Sequence, residues 1–101
     1  MSVRAISWAF AVPGIEDTYE AFVLVALANF ADEYGVSFPS VSTLAAHCRC
    51  STRKVRYALG ALEERGLVLG LARWRSNGSQ RSSAFILVGF PGRKMPARPY
   101  E

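Results

Sequence analysis

Apolar residues recur at helical spacing in three stretches of the chain. In the first stretch, residues 17–35, they are so dense that they surround most of the predicted helix, which must then be covered on most sides. Asp17 is expected to cap this helix and Glu20 to reach back, in a capping-box arrangement with Asp in place of Ser or Thr. Gly35 is expected to end the helix in a left-handed conformation.

The second and third predicted helices are short and follow each other closely. Ser40 and Ser51 precede them as N-caps, and a break at residues 49 and 50 separates them. Because this connection is so short, the two helices must cross at a steep angle. Each helix carries one apolar stripe with the spacing of a buried face. The stripes are Val41, Leu44, Ala45 and Cys48 in the second helix and Val55, Ala58, Leu59 and Leu62 in the third.

Extended chain is predicted on either side of this helix pair. Residues 36–38 form a short extended piece before the second helix. After Gly66, which is expected to end the third helix, two strands are predicted over residues 67–74 and 83–88. An Asn-Gly turn joins them into a hairpin with a basic tip. Within the first strand, Gly70 indicates a bulge or close packing.

The two ends of the chain lie outside this pattern. Residues 1–14 are apolar and are interpreted as an arm, either a short strand or an extended segment laid on the domain. The large apolar side chains of the arm alternate, at Ile6, Trp8, Phe10 and Val12. Residues 89–101 are rich in Gly, Pro and basic groups and predict a loose basic tail. The domain itself is therefore expected to span residues 15–88.

Helix, short strand, helix, tight turn, helix and basic hairpin is the element order of a winged helix-turn-helix. The predicted fold class is therefore α+β, with three helices followed by a C-terminal β-hairpin wing. Half of the residues are apolar, which excludes a disordered chain. The longest apolar run has eight residues, whereas a membrane-spanning helix needs about 20.

Charge is divided unevenly along the chain. The first 46 residues carry a net charge of −4 and the rest carry +8. A basic half on a compact domain indicates a polyanionic partner, with nucleic acid first and an anionic membrane second. An ordinary solvated basic surface is the alternative interpretation.

The outward face of the third helix carries the chemistry that DNA recognition needs. Arg53 and Arg56 lie near its N-terminal end, where a planar guanidinium can donate to guanine O6 and N7 in the major groove. Lys54 suits a phosphate, and the basic hairpin can reach the adjacent backbone or minor groove. The candidate DNA-binding residues are Ser51, Thr52, Arg53, Lys54, Arg56, Tyr57, Arg73, Arg75 and Arg81.

The stretch FPSVSTLAAHCRCSTRKVRYALGALEERGLV resembles winged helix-turn-helix domains of phage, prophage and plasmid replication proteins and related small regulators. The resemblance spans roughly residues 2–88 and implies the fold and DNA binding. The chain departs from the pattern where Cys48-Arg49-Cys50 lacks the usual Gly of the turn, and at Gly60 inside the third helix. The motifs that carry the resemblance are Phe38-Pro39-Ser40, Thr43-Leu44-Ala45, Ser51-x-Arg53-x-Val55, Leu59, Leu62-Glu63 and Gly66-Leu67.

Other chemistry has little support in the sequence. His47, Cys48 and Cys50 provide three donors where closed zinc sites use four, so no metal and no cofactor are expected. The two thiols are too close for an unstrained disulfide, which favours reduced cysteines and a cytoplasmic protein. No nucleophile has an evident base partner, so the protein is not expected to be an enzyme or to bind a small-molecule substrate.

Three function classes remain open from the sequence. The first is a sequence-specific transcriptional regulator of the phage or prophage type that binds double-stranded DNA. The second is the DNA-binding domain of a replication initiation protein that recognises an origin. The third is a winged helix that binds an acidic protein through the same surface.

A homodimer is expected, because small helix-turn-helix proteins commonly read palindromic operators and a lone module of this size binds weakly. In such a dimer the arm and first helix pack against a second copy and place the recognition helices about one DNA turn apart, ~34–36 Å. The candidate interface residues are Trp8, Phe10 and Leu24. The alternative is a monomer whose arm folds back over its own first helix.

Overall fold

The computed structural model describes residues 3–74 and 80–91, with side chains described up to residue 71 and again from residue 84. These residues form four helices and one three-stranded antiparallel sheet. The α+β class is confirmed, and the arrangement is consistent with a winged helix. The helices are α1 (Val3–Ala11), α2 (Thr18–Phe30), α3 (Val41–Cys48) and α4 (Thr52–Glu64), and the strands are β1 (Val36–Ser37), β2 (Val68–Trp74) and β3 (Gln80–Leu87).

The N-terminal arm is a helix, so its prediction as a strand or extended segment is wrong. Ala5 and Ala9, one turn apart, are both buried where α1 packs against α2 of the same chain. Two small residues on one helical face let the two backbones approach closely, and this contact outweighs the period-two alternation of the larger side chains. The Pro13-Gly14 pair then follows the helix, as a breaker should.

Helix α2 begins as predicted and ends earlier than predicted. The Asp17 carboxylate accepts a hydrogen bond from the Glu20 N–H at 3.0 Å, but the Glu20 carboxylate pairs with Arg65 instead of reaching back. The helix ends at Phe30 because the Asp32 carboxylate accepts from the N–H groups of residues 34 and 36 and folds a turn there. Gly35 takes its left-handed conformation, φ 81°, within this turn.

Most of the dense apolar surface of α2 is covered by its own chain, as in the monomeric alternative. Helices α1, α3 and α4 all pack against it. Leu24 is completely buried in this core, so its assignment to a dimer interface is wrong. Most of α2 is thus covered within one molecule, although Phe22 of this helix stays 55% exposed.

Both predicted caps of the helix pair are confirmed. Ser40 Oγ accepts from the Thr43 N–H at 3.0 Å, and Ser51 Oγ accepts from the Lys54 N–H at 3.1 Å. Arg49 occupies the left-handed position between the helices, φ 54°, that glycine would occupy without strain.

The C-terminal end of α4 is closed by a Schellman motif. The Leu67 N–H donates to the Leu62 carbonyl and the Gly66 N–H donates to the Glu63 carbonyl, both at 3.0 Å. Gly66 supplies the positive φ of 73° that this motif requires. The predicted stop at Gly66 is therefore confirmed.

The three strands lie in the order β1-β3-β2. A Cβ at Gly70 would lie 2.5 Å from Glu63 Oε1, at the far end of an exposed side chain, and 3.6 Å from the Phe85 ring, so only the Glu63 side chain would have to move. The register irregularity falls just after Gly70, between Leu71 and Arg73. Strand β3 begins three residues earlier than predicted, and the predicted turn at residues 76–79 lies outside the described residues.

The beginning of the predicted loose tail is packed onto α1. The rings of Trp8 and Phe90 meet edge to face with their centroids 5.8 Å apart, and Arg4 Nη2 donates to the Pro91 carbonyl at 2.9 Å. Trp8 therefore anchors the N-terminal segment within its own chain. The tail beyond residue 91 lies outside the described residues. In the part of the chain that the structure describes, no helix has the length and apolar character needed to cross a membrane.

Candidate nucleic-acid interface

Helix α4 has one buried and one exposed face, as the sequence predicts. The four residues of the apolar stripe are all buried against the rest of the domain. Arg53, Arg56, Tyr57 and Gly60 are exposed on the other side. The structure thus leaves the predicted reading face of this helix open to a partner.

The charges of α4 run in the opposite order to the one that stabilises a helix. Its first turn has no acidic residue and its last turn has no basic residue. Instead Arg53, Lys54 and Arg56 lie near the N-terminal end, and Glu63 and Glu64 lie at the C-terminal end. The helix dipole therefore opposes both groups, since it favours anions at the N-terminus and cations at the C-terminus, where Arg65 at the C-cap is favourably placed.

Arg53 and Tyr57 contact each other on the exposed face. The Arg53 guanidinium carbon lies 5.7 Å from the centre of the Tyr57 ring, which is within the range of a cation–π interaction. Tyr57 is 68% exposed, so its ring does not contribute to the core. Together with Arg56, the pair lines an open depression of about 340 Å³.

Lys54 is directed to the side of this face, towards α2. Its ammonium nitrogen lies 4.3 Å from the centre of the Tyr19 ring. Sequence reasoning missed Tyr19, because its position fits the apolar pattern of α2 and nothing local reveals a contact with a residue 35 positions away. Thr52 is half-buried, and the Ser51 hydroxyl serves as the N-cap.

Two of the three arginines that the sequence predicts on the wing lie on the described strands. Arg73 of β2 and Arg81 of β3 are directly paired positions of the antiparallel ladder. Arg75 lies outside the described residues, so its prediction as a DNA contact stays a prediction.

The residues near the turn between α3 and α4 have local partners. His47 Nδ1 lies 3.0 Å from the Thr43 carbonyl oxygen, and its ring meets Phe30 edge to face at 4.9 Å. Burial, and secondarily the neighbouring Cys50, raises the pKa of the Cys48 thiol above its ordinary value. Both cysteines are free thiols. Within residues 3–74 and 80–91, no three His, Cys, Asp or Glu side chains converge as metal ligands would.

A second exposed feature is an apolar groove between the end of α1 and the start of α2. Phe10 is 74% exposed and Phe22 is 55% exposed at its rim. The groove has a volume of about 320 Å³ and an open mouth. Besides these two rings it is lined mainly by Ala9, Val12, Ile15, Ala21 and Val25.

The family described as "Helix-turn-helix domain" matches residues 17–68, which is half of the chain. The match runs from the N-cap of α2 to the first residue of β2 and includes both helices of the helix-turn-helix pair. The chain therefore belongs to this family, and the class of protein is a DNA-binding helix-turn-helix domain. No curated protein and no solved structure shows a significant match to the chain.

Proposed function

We propose that this protein binds double-stranded DNA sequence-specifically by placing the N-terminal end of α4 in the major groove. The observation that carries the proposal is the order of charges along α4. Each charge placed against a helix dipole costs roughly 0.3–1 kcal/mol at the surface, so this order does not serve the stability of the fold. It does place the cations where helix-turn-helix proteins meet DNA.

The side chains of α4 divide this task by their chemistry. Arg53 and Arg56 can each donate two hydrogen bonds to one guanine edge, which discriminates between base pairs. Lys54, directed to the flank, suits a phosphate and fixes the register of the helix on the duplex without reading sequence. Arg73, Arg75 and Arg81, which the sequence predicts on the wing, would contact the neighbouring phosphate backbone in this proposal.

The biological role we propose is that of a small transcriptional regulator of the phage or prophage type. Binding rather than catalysis is the expected activity. An origin-binding replication domain would use the same surface, and the position of the selected site relative to promoters and origins distinguishes the two. An acidic protein partner would also fit the basic face, but would give no sequence preference among duplexes.

Selection of bound duplexes from a random pool tests the proposal most directly. A recurring motif is expected, and replacing Arg53 or Arg56 by Ala should remove the preference at one or two of its base pairs. Glu64→Gln is the matched control, because Glu64 is exposed on the same helix but lies at its far end. A wild-type chain that retains no duplex, or retains all duplexes equally, would contradict the proposal.

We also propose that the functional unit is a homodimer formed through the groove between α1 and α2. Phe10 projects from the rim of this groove, so two copies related by a two-fold axis can each insert Phe10 into the other's groove. Trp8 packs against Phe90 of its own chain, so only the exposed part of its side chain can contribute to such an interface.

Sedimentation equilibrium at micromolar concentrations tests the dimer. Phe10→Glu should shift the protein to a monomer, whereas Leu69→Glu, a control at an exposed apolar position on β2, should leave the dimer intact. A wild-type monomer at all concentrations, with a non-palindromic selected site, would overturn this part of the proposal.

A further inference from the structure

We infer that Tyr57 is a positioning residue that fixes the Arg53 guanidinium for a guanine, so that Arg53 reads its base pair more strictly than Arg56 reads its own. This inference rests on the proposed DNA binding by α4. In this inference Tyr57 contributes to specificity without contacting a base itself. The observations that carry it are the exposure of Tyr57, the contact between its ring and Arg53, and the open space beside it.

The exposure of Tyr57 needs an explanation outside the fold. A tyrosine ring that is two-thirds exposed contributes little to the core, and α4 already buries a complete apolar stripe without it. Its contact is with Arg53, one helical turn earlier, at 5.7 Å from guanidinium carbon to ring centre. Residues four apart on a helix face each other, so this contact follows from the helix itself.

A ring contact has a specific consequence for an arginine. The free side chain has many rotamers, and fixing it on a base costs conformational entropy. Contact with the ring restricts these rotamers before DNA arrives while leaving N–H groups available to donate. A guanidinium held in this way is prepared for the paired O6 and N7 acceptors of guanine, a geometry that adenine does not offer.

The neighbouring cations of α4 provide the contrast. Lys54 is held on the Tyr19 ring and is turned to the flank. Arg56 makes no cation–π contact with any ring in the described part of the chain, although it lines the same depression. Of the two arginines on the reading face, only Arg53 is therefore prepared by a tyrosine in the described part of the chain.

Gly60 keeps the space beyond Tyr57 open. It is exposed, and a Cβ at this position would meet no heavy atom within 4 Å. Arg53, Tyr57 and Gly60 follow one another along the same face of α4, so the missing side chain leaves room for the duplex next to the ring. The duplex can then approach Arg53 without displacing Tyr57.

A double-mutant cycle on the full chain tests the inference. The probes are the duplex selected by the wild-type protein and one in which adenine replaces guanine at the base pair whose preference Arg53→Ala removes. Tyr57→Leu should reduce the guanine-over-adenine ratio by about three- to tenfold. Tyr57→Phe, which keeps the ring and loses the hydroxyl, should preserve the ratio. In the Arg53→Ala background, Tyr57→Leu should have no further effect.

Two further measurements separate positioning from other roles. The melting temperature of Tyr57→Leu should match that of the wild type, and its preference at the base pair read by Arg56 should persist. Loss of the guanine ratio in Tyr57→Phe would overturn the inference, because it would mean that the hydroxyl contacts DNA directly. Equal effects of Tyr57→Leu with and without Arg53 would also overturn it. Failure of the proposed function is distinct, since the wild-type protein would then select no duplex at all.

Discussion

Helices α2 and α4 have the same length, 13 residues, and each begins at a side-chain N-cap that accepts an N–H three residues on. They differ in what surrounds them. Helix α2 packs against three other helices and buries five residues, whereas α4 packs along one stripe of four and leaves its cations exposed. Two helices of equal length and similar capping can therefore serve separate tasks, one holding the domain together and the other presenting a surface.

The largest expected effect comes from the enclosed helix. Leu24→Ala should lower the free energy of unfolding by about 2–5 kcal/mol, because it leaves a cavity at a completely buried position. Urea unfolding followed by circular dichroism measures this change. A loss below about 1 kcal/mol would show that α2 is less tightly enclosed than the structure indicates.

The exposed helix should give the opposite result. Arg53→Ala should weaken binding to the best duplex by about 1–3 kcal/mol. Because Arg53 is exposed and removing it relieves an unfavourable contact with the helix dipole, the free energy of unfolding should not fall. Fluorescence anisotropy with a labelled duplex and urea unfolding on the same preparation measure the two quantities. A parallel loss of stability would mean that α4 does not separate the two tasks.

A smaller effect is expected at two glycines, Gly60 inside α4 and Gly66 just after its C-cap. Gly60→Ala should stabilise the fold by about 1 kcal/mol, because alanine favours a helix interior and a Cβ there meets nothing within 4 Å. Gly66→Ala is the matched control and should destabilise, since φ at this position is 73°. Thermal unfolding of both variants decides whether the sign follows the backbone conformation.

The smallest effect concerns pH. The pKa of Cys48 is raised above its ordinary value of 9.0, chiefly by burial. Well below pH 9 the Cys48 thiol is protonated in both the folded and the unfolded state. At higher pH the thiol ionises first in the unfolded chain, so the free energy of unfolding should fall as pH rises, with a slope that corresponds to at most one proton. Urea unfolding between pH 7 and 10 should show a shallower decline for Cys48→Ala than for Cys50→Ala. Equal slopes would exclude this contribution.

The helix-turn-helix pair could be predicted from the sequence because its determinants are local. Ser40 and Ser51 cap the helices they precede, and the apolar stripes have the spacing of buried faces. The Schellman stop at Gly66 also depends on neighbours in sequence. In these segments the backbone preferences and the packing agree, so the pattern alone is sufficient.

Other features depend on tertiary contacts that the pattern does not contain. The segment of α1 carries both a period-two alternation and a pair of alanines four apart, and only contact with α2 decides between them. The early end of α2 depends on the Asp32 side chain, which competes with the helix for backbone N–H groups. The contact between Tyr19 and Lys54 requires α2 and α4 to be side by side, which no local signal reveals.

The contacts of Arg4 with Pro91 and of Trp8 with Phe90 bring the first helix and the segment after the last strand together on one side of the domain. Because positions 4 and 91 already touch, a short linker could join these two segments and the chain could be opened elsewhere without separating any packed element. Neighbouring segments of this kind are what circular permutation and insertion into a host protein require. The reading helix could then be carried, intact, within a loop of another fold.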